Sequence, residues 1–165
     1  MEIILNASLA GGVAVGSAAD IIVNPFGAML AGFITGIISS LGFAYVSGFL
    51  RRTIGLHDSC GVFNLHGMPG VIGGLISAIV VASGQDNFGD NYPNLFLYEG
   101  RSQASYAGYQ LAGLAVTLGI AITSGLLTGF ITSREWFLPP KPEQLFDDRF
   151  SWYNCTIEHE ELHNL

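Results

Sequence analysis

The residue with the clearest potential for chemistry in this sequence is a histidine inside a long apolar segment. Residues 57–75 read HDSCGVFNLHGMPGVIGGL and continue into the apolar run ISAIVVA. His66 stands nine residues after the start of this stretch. A neutral imidazole offers one N–H donor and one acceptor nitrogen, and it can take up a proton near neutral pH. Because an unpaired polar ring is costly to bury, His66 needs either a partner or a function.

Two more polar residues of this segment each allow two interpretations. Asp58, followed by Ser59, could cap the start of a helix, or its charge could draw cations toward a pore. It precedes His66 by eight residues, about 12 Å along a helix, so the two side chains are not expected to form a direct pair. Asn64 could line the same path as His66, but helical geometry turns it toward another face, which favours an interhelical hydrogen bond.

Residues without bulk or without an N–H surround the histidine. Pro69 has no N–H, so in an α-helix the carbonyl of Leu65 loses its partner. Gly67 and Gly70 remove side-chain volume at the same point. A free carbonyl at membrane depth is tolerated only where protein packs on it or where it lines a cavity. We therefore predict that these residues shape a path beside His66.

The other candidate ligands do not form a metal site. His159 and His163 are four residues apart, a spacing that could hold a metal on one helix face. No third strong ligand accompanies them, so the sequence predicts a solvated tail, no metal and no cofactor. The two cysteines, Cys60 and Cys155, are too few for a disulfide framework.

The composition predicts a membrane protein. Of 165 residues, 50% are hydrophobic and only 12% are charged, whereas soluble domains carry about 25% charged residues. The mean hydropathy is +0.46. The net charge of -7 arises largely after Lys141 and describes a solvated end. Since no basic patch suits phosphate binding, we predict no nucleic-acid partner.

Four apolar stretches approach the length of about 17 to 25 residues that spans a bilayer. The sequence therefore predicts an all-α, polytopic membrane helical bundle over residues 1–137. Residues 84–106 form a polar loop, and residues 138–165 form an acidic tail. The four predicted spans cover about residues 7–23, 26–50, 59–82 and 107–132.

Positive charges orient these spans, because cytoplasmic loops carry an excess of lysine and arginine. If the spans alternate, Arg101 alone falls on one side of the bilayer. We therefore predict that the tail is cytoplasmic and that the loop at residues 84–106 is extracellular. The five positive residues on the cytoplasmic side are Arg51, Arg52, Arg134, Lys141 and Arg149.

Each predicted span carries two glycines four residues apart. Such pairs let helix backbones approach closely, which matters because lipid provides no hydrophobic drive for helix association. The general frequency of glycine in membrane helices could explain any one pair, but pairs in all four spans favour a tightly packed bundle. The pairs are Gly12 and Gly16, Gly32 and Gly36, Gly70 and Gly74, and Gly125 and Gly129.

Several motifs resemble those of a known transporter family. The run DSCGVFNLHGMPGVIGG resembles the signature of the Rh-glycoprotein branch of the ammonium transporter (Amt/Mep/Rh) superfamily. The runs NASLAGGVAVGSAAD and GAMLAGFITGIISSLGFAYVSGFL resemble two successive earlier helices, and FDDRFSWY resembles an acidic, aromatic patch in Rh tails. The likeness covers essentially the whole chain in order.

This resemblance implies an inverted-repeat fold of eleven or twelve transmembrane helices, with a pore through each subunit of a homotrimer. The sequence resembles only the last four helices, so we expect a partial chain that is not functional alone. By the same resemblance, His66 matches the second of two pore histidines, and Asp58 matches an acid below it on the same helix. The first histidine and the gate would belong to the other repeat.

The implied function is transport of ammonia or ammonium across the plasma membrane, with carbon dioxide as a second candidate substrate. Two facing imidazoles can share one N–H and can accept a proton from ammonium or hydrogen-bond ammonia. We expect a transporter and not an enzyme. The alternative is a non-transporting Rh-like membrane scaffold or trimer subunit, in which the pore histidines are lost. The retained His66 argues against that alternative.

Overall fold

The computed structural model describes residues 2–22, 24–83 and 101–137, and within them every regular element is helical. Two π-helical segments, each of five residues, interrupt the α-helices. The first, π1, joins α2 to α3, and the second, π2, leads into α4. The elements in chain order are α1 Glu2–Gly16, α2 Pro25–Leu41, π1 Gly42–Val46, α3 Ser47–Ile54, π2 Phe63–Gly67, α4 Met68–Ser83, α5 Gln103–Thr132 and a 3-10 turn Glu135–Phe137.

Three continuous helices are long and apolar enough to cross a membrane: Pro25–Ile54, Phe63–Ser83 and Gln103–Thr132. The 21 residues of Phe63–Ser83 cover about 31 Å at 1.5 Å per residue, close to the roughly 30 Å of bilayer hydrocarbon. The apolar helix Ile3–Gly16 is shorter. The predicted all-α class of a membrane helical bundle is confirmed.

The largest difference from the predicted spans is at the first helix. The prediction was residues 7–23, whereas α1 covers Glu2–Gly16. Turns follow it, in which the N–H groups of Ile21 and Ile22 donate to the Ala18 carbonyl at 3.1 and 2.9 Å. The predicted acidic tail at residues 138–165 and most of the predicted polar loop, residues 84–100, lie outside the described residues.

Local signals set both ends of the helix Pro25–Ile54. Asn24 is its N-cap, and its side-chain oxygen accepts a hydrogen bond from the Phe26 N–H at 2.9 Å. At the other end Gly55 adopts a left-handed conformation with φ of 68°, which is the usual way for glycine to stop a helix. Asn24 and Pro25 therefore open this helix.

Small residues form the core of the bundle. On α1 and on α2 these residues recur at every fourth position, which places them on one face of each helix. Small side chains let helix axes approach closely, and this close approach supplies the packing contacts that hold membrane helices together. The buried residues at this spacing are Ala10 and Ala14 of α1, with Ala18 in the turn that follows, and Ala31, Thr35 and Ser39 of α2.

Helices α1 and α2 touch backbone to backbone at two points. A Cβ atom added to Gly11 would lie 2.9 Å from the carbonyl oxygen of Gly32. One added to Gly36 would lie 3.2 Å from the carbonyl oxygen of Ala7. Since a real Cβ is hardly ever found as close as the first of these distances, the approach at Gly11 requires glycine.

A second close approach joins α4 to α1. A Cβ at Gly73 would lie 2.5 Å from the Ala14 carbonyl oxygen and 2.9 Å from Ser17 Oγ. The neighbouring Gly74 meets only a flexible side chain, with its Cβ position 2.9 Å from Leu114 Cδ1. The backbone contact at Gly73 is therefore the tighter of the two constraints.

The predicted glycine pairs coincide with these contacts only in part. Gly32, Gly36 and Gly74 lie at helix contacts, but the backbone approaches made by α1 and α4 fall on Gly11 and Gly73. Both of these glycines have another glycine beside them, so the sequence pattern alone does not distinguish which one faces the neighbour. Among the described residues, a Cβ would meet nothing within 4 Å at Gly12, Gly16, Gly70, Gly125 and Gly129.

The chain divides within α5 into two units, Met1–Gly119 and Ile120–Leu165. The helix packing described above lies in the first unit, where Tyr106 and Ala107 also pack against a cluster formed by Ala18, Ile21 and Val81. In the second unit, the guanidinium of Arg134 lies 3.9 Å from the centre of the Phe130 ring.

Substituting Gly73→Ala is expected to destabilise the bundle, because the added methyl group meets a backbone carbonyl that cannot rotate away. A loss of about 1 to 3 kcal/mol in the free energy of unfolding is typical of such overpacking. Gly74→Ala is the matched control, since the Leu114 side chain can move. Unfolding in mixed detergent micelles measures both, and equal losses for the two variants would contradict the assigned contact.

Candidate functional site

The apolar segment with the histidine begins at an acidic cap. Asp58 is half-buried, and its two carboxylate oxygens accept hydrogen bonds from the N–H groups of Val62 and Phe63 at 2.8 and 2.9 Å. These bonds satisfy free N–H groups at the helix start and place a negative charge at the positive end of the helix dipole. Asp58 thus caps the helix start, which is one of the two roles predicted for it.

The same carboxylate borders a polar pocket. Asp58 lines it together with Ser47, Arg51 and Leu56. An acid and an arginine therefore share the end of the bundle from which π2 starts.

Gly61 connects the cap to the helix in a conformation that favours glycine. Its φ is 69°, in the left-handed region, and the residue is buried. A Cβ at this position would overlap the ring of Phe43. The turn between Asp58 and π2 is consequently fixed by both conformation and packing.

The π2 segment changes which carbonyl is left free by the proline. The Met68 N–H donates to the carbonyl of Phe63, five residues back. The next donor in this register would be the N–H of residue 69, but Pro69 has none. The carbonyl oxygen of Asn64 instead accepts a hydrogen bond from Ser39 Oγ at 2.8 Å. The α-helical register used in the sequence analysis pointed to Leu65, one residue later.

The side chain of Asn64 lies between the helices. The residue is completely buried, and its Nδ2 donates to Ser47 Oγ at 2.6 Å. Its Oδ1 has no hydrogen-bond donor among the described residues. That oxygen packs against Gly42 of π1, where a Cβ would overlap it. Asn64 therefore makes an interhelical hydrogen bond, which was the favoured of its two predicted roles.

His66 lies two residues beyond Asn64 and is exposed. Two positions along a helix correspond to roughly half a turn, so the two side chains leave π2 on opposite sides. Within residues 2–22, 24–83 and 101–137, His66 has no hydrogen-bond partner. The histidine is thus presented on the outside of this bundle, and its imidazole is available to a group that lies outside the described residues.

The residues predicted to shape the path take different positions. Gly67 is exposed beside His66, and a Cβ at Gly70 would meet nothing within 4 Å, so both leave space at this face. Pro69 is fully buried and packs into the bundle. Pro69 therefore contributes to the helix register and does not line the face on which His66 lies.

Three residues of this site were not predicted from the sequence: Ser39, Ser47 and Gly42. One signal was present, because Ser39 continues the buried polar stripe of Thr35 four residues earlier. The π-helical register that brings Asn64 to these residues has no equivalent sequence signal. Among the described residues, no group of three or more His, Cys, Asp or Glu side chains could hold a metal ion, and His159 and His163 lie outside them.

Comparison with known proteins gives one consistent result. The sequence model of the Ammonium Transporter Family matches residues 1–149. The chain is 42% identical over 166 residues to "Ammonium transporter Rh type C" of Xenopus tropicalis, covering 97% of this chain and 35% of that protein. It is 40% identical over 167 residues to "Ammonium transporter Rh type B" of Danio rerio, covering 98% of this chain and 36% of that protein.

A further relative, "Ammonium transporter Rh type B" of Takifugu rubripes, is 42% identical over 153 residues, which are 90% of this chain and 33% of that protein. The chain spans about a third of the length of these curated relatives. The likeness runs through all the helices described above, including the segment with Asp58, Asn64 and His66. This chain belongs to the ammonium transporter family.

Proposed function

We propose that this chain forms one wall of a pore that carries ammonia or ammonium across a membrane, with His66 on the path. The observation that carries the proposal is the placement of His66: an exposed imidazole, turned away from the buried Asn64, on a helix of bilayer length. The names of the relatives, all ammonium transporters, support the choice of substrate. Carbon dioxide is a second small substrate for the same narrow path.

The chemistry of the substrate explains why an imidazole belongs there. Ammonium loses much of its hydration energy when it enters an apolar region, whereas ammonia is small and neutral. A ring nitrogen can accept a hydrogen bond or a proton from ammonium, and a ring N–H can donate to ammonia. Inside a membrane an ionisable side chain usually marks such a pathway.

A second imidazole facing His66 would complete this site, and none faces it among the described residues. The two rings can share an N–H and leave donors and acceptors along the path. The greater length of the relatives leaves room for a segment that carries the second ring. In repeat-built transporters such sites lie between the repeats. We therefore propose that the pore forms in a longer protein, assembled as a homotrimer, and that this chain alone does not conduct.

Asp58 has two roles in this proposal. Its capping bonds to Val62 and Phe63 hold the start of the helix that carries His66. Its charge, at the pocket with Arg51, draws cations to the cytoplasmic end of the path. This orientation follows from the distribution of arginine and lysine, which also places the C-terminal tail in the cytoplasm and suits a plasma-membrane protein.

A non-transporting membrane scaffold is the alternative function. Such a protein needs the close helix packing at Gly11 and Gly73 but has no use for an exposed imidazole in a membrane span. Because exposure of a polar ring to lipid is costly, His66 favours the pore.

Replacing His66→Ala in the intact transporter is expected to lower methylammonium uptake by up to about tenfold, the equivalent of one lost hydrogen bond of about 1.4 kcal/mol. The matched control is His57→Ala, since this histidine lies in the loop before the cap and contacts the Gly55 carbonyl at 3.0 Å. Surface expression and assembly, checked by native gels, are expected to stay unchanged in both variants. Uptake kinetics unaffected by His66→Ala would rule out a place on the path.

Two substitutions at Asp58 separate its cap from its charge. Asp58→Ala removes both and is expected to lower the free energy of unfolding by about 1 kcal/mol, as is typical for loss of an N-cap. Asp58→Asn keeps an acceptor oxygen for one of the two capping bonds, so it is expected to keep part of that stability while uptake at low substrate falls. Full uptake in Asp58→Asn would mean that the residue serves only as a cap.

The chain of 165 residues by itself is expected to give no ammonia flux above the lipid background when reconstituted in vesicles. The reason is that His66 finds no partner among the described residues. Stopped-flow measurement of internal pH in the vesicles, with protein-free vesicles as the control, provides the test. A flux above that background would show that one imidazole suffices.

A further inference from the structure

We infer that Ser39 is a positioning residue for His66: its hydroxyl replaces the N–H that Pro69 lacks and so holds π2 in the register that turns His66 away from the bundle. The inference rests on the proposed function only in taking His66 as a path residue. The hydrogen bond that carries it, from Ser39 Oγ to the Asn64 carbonyl, measures 2.8 Å and is buried.

The Asn64 carbonyl needs a hydrogen-bond donor from outside its own helix. The Met68 N–H bonds to Phe63, and the position that would serve the Asn64 carbonyl next is Pro69. A carbonyl without a partner at membrane depth is strongly unfavourable, because no water is present to satisfy it. Asn64 is completely buried, so a donor for its carbonyl has to come from the protein.

Ser39 differs from the other hydroxyl side chains of α2. Thr35 Oγ1 donates to the Ala31 carbonyl at 2.8 Å, and Ser40 Oγ donates to the Gly36 carbonyl at 2.9 Å. Both bonds join residues four apart in one helix, which is the usual arrangement for these side chains. Ser39, which is fully buried, donates instead to a residue 25 positions away on another helix.

The side chain of Asn64 makes a second hydrogen bond to the neighbouring helix. The Asn64 amide donates to Ser47 Oγ at 2.6 Å, and Gly42 leaves the space that its oxygen occupies. Main chain and side chain of Asn64 are therefore fixed to one continuous helix, Pro25–Ile54. With Asn64 fixed on this side, the side chain two positions later is directed to the opposite side, where the exposed His66 lies.

The register itself sets the direction of the imidazole. The π-helical turn contains one residue more than an α-helical turn, and one residue corresponds to a rotation of about 100° about the helix axis. If Ser39 did not satisfy the Asn64 carbonyl, relaxation of π2 toward an α-helical register would rotate His66 relative to α4 by this amount. A shift of that size would take the ring off a narrow path.

A double-mutant cycle in the intact transporter tests the compensation between Ser39 and Pro69. Ser39→Ala is expected to raise the equilibrium constant for unfolding by about threefold to tenfold, the range of interhelical hydrogen bonds in membranes. In the Pro69→Ala background the same change is expected to have a smaller effect, because an N–H at position 69 then serves the carbonyl. Ser40→Ala is the matched control and is expected to act equally in both backgrounds. Additive effects of Ser39→Ala and Pro69→Ala would overturn the inference.

If Ser39→Ala yields no folded protein, Ser39→Cys replaces it in the same cycle. The thiol is a weaker donor of similar size, so a smaller rise in the unfolding constant is expected, again reduced by Pro69→Ala. The interpretation of the outcomes stays the same: coupling supports the compensation and additivity overturns it.

A functional readout separates positioning from stability alone. Ser39→Ala is expected to lower the maximal rate of methylammonium uptake per transporter at the cell surface by about threefold or more, since the His66 ring is turned from the path and a hydrogen bond to the substrate is lost. The double variant Ser39→Ala/Pro69→Ala is expected to restore this rate, and Ser40→Ala to leave it unchanged. Coupled stability with an unchanged rate per transporter would make Ser39 a structural residue only and would overturn its role in positioning.

The proposed function and this inference can fail separately. If the parent protein takes up no methylammonium, the proposed function is wrong, and the ¹⁵N NMR signal of the His66 ring decides the inference. A chemical shift that changes in Ser39→Ala and returns in the double variant with Pro69→Ala supports the positioning role. A signal that is the same in all these variants overturns it.

Discussion

The backbone at membrane depth has no water to bind, and this constraint governs the arrangement around His66. Pro69 removes one N–H from the helix, so one carbonyl needs a donor from elsewhere. Ser39 supplies that donor from the neighbouring helix, and the hydrogen bond ties the two helices together at the point where π2 begins to bend away from α-helical geometry. The direction of the imidazole is thus a consequence of satisfying a carbonyl two residues away.

The close packing of the helices and this hydrogen bond depend on each other. A serine hydroxyl is short, so it reaches a carbonyl on another helix only if the backbones are near. The two helices achieve that nearness with glycine, as at Gly42 of π1, where a Cβ would overlap the Asn64 side chain. Lipid gives no hydrophobic drive for helix association, so such contacts together with polar links must hold the helices. A larger residue at Gly42 would push the two helices apart and weaken the bond from Ser39 to the carbonyl.

Asp58 and His66, the two ionisable residues at the start of this helix, serve different needs. Asp58 closes the helix start with two hydrogen bonds and leaves its charge at a pocket shared with Arg51. His66 lies on a face that the described residues leave open, on a chain about a third as long as its relatives. The described residues neither bury the His66 ring nor hydrogen-bond it. We propose that another part of the transporter faces this ring.

The sequence by itself determined the all-α membrane class, the family and the position of His66 in a long apolar helix, because hydropathy and motifs are properties of the chain read in order. Only the tertiary structure decided that the Asn64 carbonyl accepts from Ser39, that Asn64 faces Gly42 and Ser47, and that Gly11, not its neighbour Gly12, meets Gly32. These choices depend on helix register and on rotation about the helix axis. Both are set by contacts between segments far apart in sequence, and a π-helical turn changes them by a full residue without any mark in the sequence.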